Sequence, residues 1–151
     1  MERTSNRREI LKSLAGTAAA AQALNLNPKA LGANGRVNVA LIGGRNQGRS
    51  VALRMIEQGA RIATFCDADQ AILDKVTPDF EKAQGARPKQ ERDFRRVLDD
   101  KSIDAVVIAT PDHWHTHMTL MALSAGKDCY TEKPLSQTIG EGHLVRDAAR
   151  K

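Results

Sequence analysis

The chain has 151 residues, enough for one domain of ordinary size, and its hydrophobic fraction of 41% excludes a wholly disordered protein. The formal net charge of +5 is typical of some nucleic-acid-binding proteins, but residues 1–32 hold five bases against two acids. The remaining residues carry a net charge of only +2, which argues against nucleic acid as a partner.

The first 32 residues resemble an export signal, with a basic start, a mildly apolar Leu/Ala/Gly stretch and small residues suited to cleavage. Within them, the segment NRREILK resembles the twin-arginine motif through Arg7 and Arg8, although Asn6 and Ile10 replace the usual residues. The alternative is an ordinary amphipathic N-terminal helix. We predict a twin-arginine signal peptide over residues 1–32, the twin-arginine translocase as an export partner, and a periplasmic location.

From residue 36 onward, short β-branched apolar runs alternate with helical patterns. The predicted strands are 37–42, 61–66, 104–109 and 127–131, and the predicted helices are 47–58, 70–84, 94–98, 115–125 and 140–151. We expect a break in the second helix near Pro78, and Asp93 as the N-cap of the third. This alternation predicts a doubly wound parallel α/β sheet of the Rossmann type over residues 33–151.

Chemically distinctive residues follow each predicted strand. They are Gly43, Gly44, Arg45, Asn46, Gln47 and Gly48 after the first strand, Asp67 after the second, Thr110 and Pro111 after the third, and Glu132, Lys133 and Pro134 after the fourth. Because the carboxyl ends of parallel strands share one edge of the sheet, we expect these four clusters to meet there. Ligands of open α/β sheets bind at that edge.

The first cluster predicts a phosphate-binding turn. Gly43 and Gly48 occupy the first and third positions of the pattern G-x-G-x-x-G, but Arg45 stands at the second. A side chain there obstructs the approach of the backbone to a pyrophosphate, unless Gly44 takes over and the turn shifts by one residue. Alternatively, the Arg45 guanidinium pairs with the pyrophosphate. A plain strand–helix turn also explains this pattern.

Asp67 strengthens the dinucleotide hypothesis, because it ends the second strand 19 residues after Gly48, near the spacing expected of a ribose-binding acid. Its carboxylate accepts hydrogen bonds from ribose hydroxyls and repels a 2′-phosphate, and the following Ala68 offers no cation. The sequence therefore predicts NAD as the cofactor, in preference to NADP.

Lys133 and His115 are the predicted catalytic residues. An ammonium at the nicotinamide end orients a substrate hydroxyl or polarises a carbonyl, and His115 is expected to face the cofactor edge from the start of a helix. His113 and His117 share a helical face but have no third ligand at a convincing spacing, so we expect no metal site. Cys66 and Cys129 lie within predicted strands, as buried hydrophobes or as a disulfide formed after export.

The segment TPDHWHTHMTLMALSAGKDCYTEKPL, residues 110–135, resembles the N-terminal domain of the Gfo/Idh/MocA oxidoreductases. Thr110-Pro111, His115, Gly126-Lys127 and Glu132-Lys133-Pro134 match hallmarks of that family at the family's spacing, and the similarity runs from about residue 36 to the end. Arg45 departs from the family pattern at the middle glycine.

The resemblance implies an NAD(P)-dependent oxidoreductase acting on sugars, polyols or cyclitols, with Lys133 in the catalytic site. It also implies a second domain that supplies an Asp/His pair, the substrate pocket and the contacts of a homo-oligomer. That domain is absent from these 151 residues, so we expect an incomplete Rossmann domain with uncertain activity of its own. The alternatives are an NAD-using glycosidase on the same scaffold and a non-catalytic nucleotide-binding remnant.

Overall fold

A computed structural model describes residues 35–151, so the predicted signal peptide lies outside the described residues. The strands are β1 (Asn38–Ile42), β2 (Arg61–Cys66), β3 (Lys89–Glu91), β4 (Ala105–Ile108) and β5 (Asp128–Thr131). The helices are α1 (Asn46–Glu57), α2 (Gln70–Gln84), α3 (Phe94–Asp99), α4 (His115–Ser124) and α5 (Ile139–Ala149), with one 3₁₀ turn at Asp112–Trp114.

All five strands pair in parallel, in the order β3-β2-β1-β4-β5. The chain therefore winds outward from β1 in one direction to β3, and then returns to the other side of β1 to form β4 and β5. This order confirms the predicted doubly wound parallel sheet. It also creates a topological switch point between the carboxyl ends of β1 and β4, where such folds bind their ligands.

Alternate residues of the central strands supply two hydrophobic cores, one on each face of the sheet. In β1, Val39 and Leu41 join the core covered by α1 and α2, whereas Ala40 and Ile42 join the core covered by α3 and α4. Both faces of the sheet are thus buried, as a parallel sheet requires, and the functional groups are left to the strand ends.

Helix α2 continues through Pro78, so the predicted break is wrong. A proline inside a helix costs about 3 kcal/mol because it removes a backbone hydrogen bond and crowds the preceding turn. Here Leu73, before the proline, and Phe80, after it, are both fully buried against the sheet. The Phe80 ring also packs edge-to-face on Phe65, with 5.3 Å between ring centroids. This packing on both sides of Pro78 outweighs the local cost.

Strand β3 is the element missing from the sequence prediction. Its three residues, Lys89–Glu91, are polar and show no alternation, so only pairing with β2 makes them a strand. The other predicted elements are confirmed to within two residues at each end, and Asp93 caps α3 by accepting from the backbone N–H of Arg95. Within residues 35–151, none of the helices has the length and apolar character needed to cross a membrane.

Candidate functional site

Three glycines, two in the turn after β1 and one in the first turn of α1, are packed too tightly for any other residue. Gly43 has a φ of +92°, and a Cβ there would lie 2.6 Å from the carbonyl oxygen of Ala109. A Cβ on Gly48 would lie 2.0 Å from the carbonyl oxygen of Gly43. Helix α1 therefore starts directly against the turn, beside the end of β4.

Gly44 was considered as a substitute for the missing middle glycine of the phosphate-binding pattern, but the structure gives it a different role. A Cβ on Gly44 would lie 2.1 Å from the ring of Phe65, so this glycine makes room for a core side chain. It therefore does not replace the missing middle glycine of the phosphate-binding pattern. Its backbone N–H instead donates to the carboxylate of Asp67, at 2.9 Å.

Arg45 is the N-terminal flanking residue of α1, and its side chain points away from the helix axis to the turn after β2. The guanidinium Nη2 donates to Oδ2 of Asp69 at 2.9 Å, and the side chain is 70% exposed. Among the described residues, no side chain caps the N-terminus of α1. The first backbone N–H groups of this helix, at Asn46 and Gln47, are therefore available to an anion.

Asp67 joins the turns after β1 and β2. Its Oδ2 accepts from Gly44 and its Oδ1 accepts from the backbone N–H of Asp69, at 3.0 Å. The backbone N–H of Gly43 donates to the carbonyl oxygen of Cys66, at 2.9 Å, which draws the same turns together. Each carboxylate oxygen of Asp67 keeps further acceptor capacity for a ligand hydroxyl.

A cleft of about 430 Å³ opens between these turns, over the ends of β1, β2 and β4. Asp67, Thr110 and Pro111 line it, as predicted for a shared binding edge. Arg92, Phe94 and Met118 also line it and were not predicted. Arg92 follows the unpredicted strand β3, and Phe94 begins the predicted helix α3. Their place at the edge depends on the pairing of β3 with β2, which the local sequence does not indicate.

Trp114 lies at the rim of this cleft with 42% of its surface exposed. Its ring contacts the rings of Phe94, His113 and His117, at centroid distances of 5.9 to 6.4 Å. The two histidines therefore belong to an exposed aromatic cluster beside the cleft. Among residues 35–151, no three His, Cys, Asp or Glu side chains are grouped as metal ligands.

The corner after β5 places Lys133 between two anchored residues. Glu132 is buried, and its Oε1 accepts from Nε2 of Gln47 at 3.2 Å and from the hydroxyl of Tyr130 at 3.1 Å. The hydrogen bond from Gln47 is the main cause of the lowered pKa of the Glu132 carboxyl. The Lys133 side chain is exposed, and the following peptide bond to Pro134 is cis.

His115 lies at the predicted edge but does not face open space. The residue is 2% exposed, and its Nδ1 lies 2.7 Å from the carbonyl oxygen of Pro134. Its Nε2 lies 2.8 Å from the carbonyl oxygen of Thr110. Because each ring nitrogen faces a backbone carbonyl oxygen, neither is directed at a substrate. The geometry therefore disagrees with direct catalysis by His115. It favours a role in holding the turn after β4 and the corner after β5 together.

The cysteines are free thiols on separate strands. Cys66 is buried on β2 and Cys129 is half-buried on β5, and β1 and β4 lie between them. Three strand spacings amount to roughly 14 Å, far beyond the reach of a disulfide. Burial raises the pKa of the Cys66 thiol to about 12 and that of Cys129 to about 11. These thiols are packing residues, and the disulfide interpretation is wrong.

The four predicted clusters meet at one edge of the sheet. Asp67 bonds the glycine turn, Gln47 in the first turn of α1 bonds Glu132, and Gly43 packs against the end of β4. His115 then bridges the corners after β4 and β5. A continuous set of short contacts thus joins residues that are as many as 85 positions apart in the chain.

Comparison with known proteins identifies the family to which this domain belongs. Residues 37–151 match the family model described as "Oxidoreductase family, NAD-binding Rossmann fold". Among curated proteins, a glycosyl hydrolase family 109 protein from Shewanella sp. (strain ANA-3) is 32% identical over 143 residues, which covers 85% of this chain and 31% of that protein. The chain spans between 21% and 31% of the length of the curated relatives it matches.

Solved structures give the same result. An NAD-binding oxidoreductase from Klebsiella pneumoniae is 30% identical with a TM-score of 0.64, over 76% of this chain and 32% of that one. A levoglucosan dehydrogenase in complex with NADH and levoglucosan is 28% identical with a TM-score of 0.62, over 77% of this chain and 32% of that one. The chain belongs to the Gfo/Idh/MocA oxidoreductase family, and its residues 37–151 are the NAD-binding Rossmann domain of that family.

Proposed function

We propose that this chain is the NAD-binding part of an oxidoreductase that transfers hydride between the nicotinamide ring and a sugar, polyol or cyclitol. The observation that carries the proposal is the meeting of the glycine turn, Asp67 and the Lys133 corner at one sheet edge. The similar levoglucosan dehydrogenase, whose structure contains NADH and a sugar derivative, supports this substrate class.

The residues present fit a dinucleotide. The uncapped N-terminus of α1 offers backbone N–H groups and the positive end of the helix dipole to a pyrophosphate. The carboxylate of Asp67 is held at the end of β2, where its spare acceptor capacity suits the hydroxyls of the adenosine ribose. The cleft lined by Pro111 and Trp114 offers the apolar walls that an adenine ring requires.

Asp67 also favours NAD over NADP, because its carboxylate repels a 2′-phosphate. Arg45 is already paired with Asp69, and Arg92, which lines the same cleft, donates to the carbonyl oxygen of Ala68, so each guanidinium offers less to a phosphate. The donor set therefore suits a free 2′-hydroxyl better than a phosphorylated one.

Lys133 is the proposed catalytic residue. Bound nicotinamide would supply the hydride donor or acceptor. Lys133 directly follows Glu132 after β5, at the same edge, and its exposed ammonium would donate to the oxygen of the carbon being oxidised or reduced. Its positive charge stabilises the negative charge that develops on that oxygen during hydride transfer.

Cofactor binding is tested by titrating the protein with NAD while following Trp114 fluorescence and thermal unfolding. Asp67→Asn keeps the shape of the side chain and removes its charge. Loss of a charged hydrogen bond, worth about 1.5–3 kcal/mol, predicts a Kd for NAD that is roughly 10- to 100-fold higher. The matched control Asp74→Asn, on exposed α2 surface, leaves the Kd unchanged. Absence of binding by the wild-type protein at millimolar NAD would refute the proposal.

A second function is favoured by the curated relatives, which are named as glycosyl hydrolases and as an α-N-acetylgalactosaminidase. In such an enzyme the hydride is removed and returned within one turnover while a glycosidic bond breaks. Assays with free and glycosylated sugars distinguish the two reactions. Net NADH formation from the free sugar supports the dehydrogenase, and sugar release without net NADH supports the glycosidase. NAD binding with neither reaction supports a non-catalytic nucleotide-binding protein.

We also propose export to the periplasm by the twin-arginine route, supported by Arg7 and Arg8 in a signal-like segment. That route carries folded cargo, as a cofactor-loaded Rossmann domain would be. The test fuses residues 1–35 to a fluorescent protein that matures only when folded in the cytoplasm. Periplasmic fluorescence that is abolished by changing both arginines to lysine supports the proposal, and unchanged location would refute it.

A further inference from the structure

Two side chains from different parts of the chain hold the residues on either side of Lys133. Before it, Oε1 of Glu132 accepts a hydrogen bond from Nε2 of Gln47 at 3.2 Å. After it, Nδ1 of His115 lies 2.7 Å from the carbonyl oxygen of Pro134. Lys133 itself is exposed, whereas Glu132 and His115 are both buried.

Each holding side chain also belongs to another turn of the binding edge. Gln47 lies in the first turn of α1, directly after the glycine turn. His115 contacts the carbonyl oxygen of Thr110, which follows β4. Whatever these contacts contribute to stability, they also fix the Lys133 corner relative to the two turns.

We propose that Gln47 and His115 are positioning residues that set the place of the Lys133 ammonium relative to the cofactor turns. The inference rests on the proposed function, because it assigns Lys133 a task that depends on its place. Gln47 fixes the corner against the turn that receives the pyrophosphate. His115 fixes it against the turn at the switch point between β1 and β4. The exposed lysine thereby obtains a defined location through the buried Glu132, which Gln47 holds, and through the buried His115.

The chain offers closely matched variants for a test. Gln47→Met removes the amide donor with little change in length, and Gln58→Met makes the same change at the exposed far end of α1. His115→Gln removes the ring that spans two carbonyl oxygens, and His117→Gln makes the same change at an exposed site on the same helix. Because Gln47 is exposed on α1, Gln47→Met decides the test if His115→Gln fails to fold.

The first measurement needs no cofactor. Amide hydrogen exchange over residues 131–136 of the full chain is compared with exchange in β1. We expect at least tenfold faster exchange at the corner in Gln47→Met and His115→Gln, with wild-type rates in both controls and in β1. Unchanged corner exchange in both test variants would overturn the inference.

The second measurement follows the lysine itself. Lysines are reductively methylated with ¹³C, and the Lys133 signal is assigned by its loss in Lys133→Arg. Each variant is studied at its own saturating NAD, which separates weaker binding from altered position. We expect the NAD-induced shift of this signal to fall by at least half in both test variants and to persist in the controls. A full wild-type shift in both test variants would overturn the inference.

The two measurements separate this inference from the proposed function. If the wild-type protein binds no NAD, the proposed function fails, whereas the exchange measurement still decides whether Gln47 and His115 hold the corner.

Discussion

The two halves of the sheet are held together in different ways. Around β1 and β2, the largest buried side chains are apolar, including Phe65, Leu73 and Phe80, and the glycine turn has no space for a Cβ. Thr64 and Thr77 are buried polar residues on the same side. Around β4 and β5, the buried polar residues are more numerous and include ionisable side chains. They are His115, Thr116, Thr119, Lys127 and Glu132. Within residues 35–151, every buried side-chain nitrogen and oxygen has a hydrogen-bond partner.

This difference predicts different sensitivities to mutation. The half around β1 and β2, called the glycine half, depends on close steric fit, so added volume disrupts it. The half around β4 and β5, which contains Lys127 and Lys133, is called the lysine half. The lysine half depends on individual hydrogen bonds in a low-dielectric interior, so removal of one donor leaves a buried acceptor without a partner. The same difference suits the proposed chemistry, since a cofactor needs a rigid cradle and a catalytic lysine needs a defined position.

Gly48→Ala is expected to have the largest effect. The new Cβ would lie 2.0 Å from the carbonyl oxygen of Gly43, a backbone atom that cannot move without opening the turn. We expect a loss of about 3 kcal/mol or more in the free energy of unfolding, measured by urea denaturation. Gly140→Ala is the control, because a Cβ in that helical position would meet only Oγ1 of Thr138, at an ordinary contact distance of 3.9 Å. It should raise stability by about 0.5–1 kcal/mol. Equal effects at both positions would contradict the steric account.

Lys127→Met tests the lysine half. The Lys127 ammonium is buried and donates to the carbonyl oxygens of Asp100 and Ile103, at 2.6 and 2.7 Å. Methionine fills most of the same space but leaves both oxygens without this donor. We expect a loss of about 1–3 kcal/mol in the free energy of unfolding. Lys101→Met, at a neighbouring exposed position, should change stability by less than about 0.5 kcal/mol. Unaltered stability of Lys127→Met would show that its hydrogen bonds are dispensable.

Glu132→Gln tests the same half through pH. The pKa of Glu132 is lowered, first by the hydrogen bond from Gln47, so the ionised carboxylate stabilises the fold above its unfolded-state pKa. This contribution disappears as the pH falls through the lowered pKa of the folded state. We expect Glu132→Gln to be less stable than wild type by about 1–2 kcal/mol near neutral pH, with the gap closing in acid. Urea denaturation from neutral to acidic pH measures the difference in the free energy of unfolding between the two proteins. A difference that grows in acid would contradict a lowered pKa for Glu132.

Local sequence patterns were enough to predict most of the architecture. The second strand was predicted at its observed limits, Arg61–Cys66, because a β-branched run between turn signals leaves few other choices. Strand β3 and the unbroken α2 were missed, since pairing with β2 and burial of Phe80 come from distant parts of the chain. Tertiary contacts of this kind override local propensity and leave no mark on the neighbouring residues.

The candidate site was predictable in its location but not in its contacts. Parallel strands bring Asp67 and Lys133 to one edge whatever their side chains do. The bond between Gln47 and Glu132 spans 85 residues, and no spacing rule connects them. His115 shows the same limit, because its match to a family hallmark indicated importance, whereas the structure shows a buried ring with each nitrogen facing a carbonyl oxygen.

Tyr130 provides the smallest but most direct test of the lysine half. Its hydroxyl donates to Oε1 of Glu132 at 3.1 Å, and this hydrogen bond raises the pKa of the phenol. The sequence contains one tyrosine, so absorbance of the tyrosinate reports this residue alone as the pH is raised. In Glu132→Gln the acceptor loses its negative charge, and the pKa of Tyr130 should fall toward its ordinary value. Gln58→Met, remote from the corner, should leave the titration unchanged. An unaltered midpoint in Glu132→Gln would mean that Tyr130 does not share the carboxylate with Gln47, and that the Lys133 corner has one fewer hydrogen bond holding it than the structure indicates.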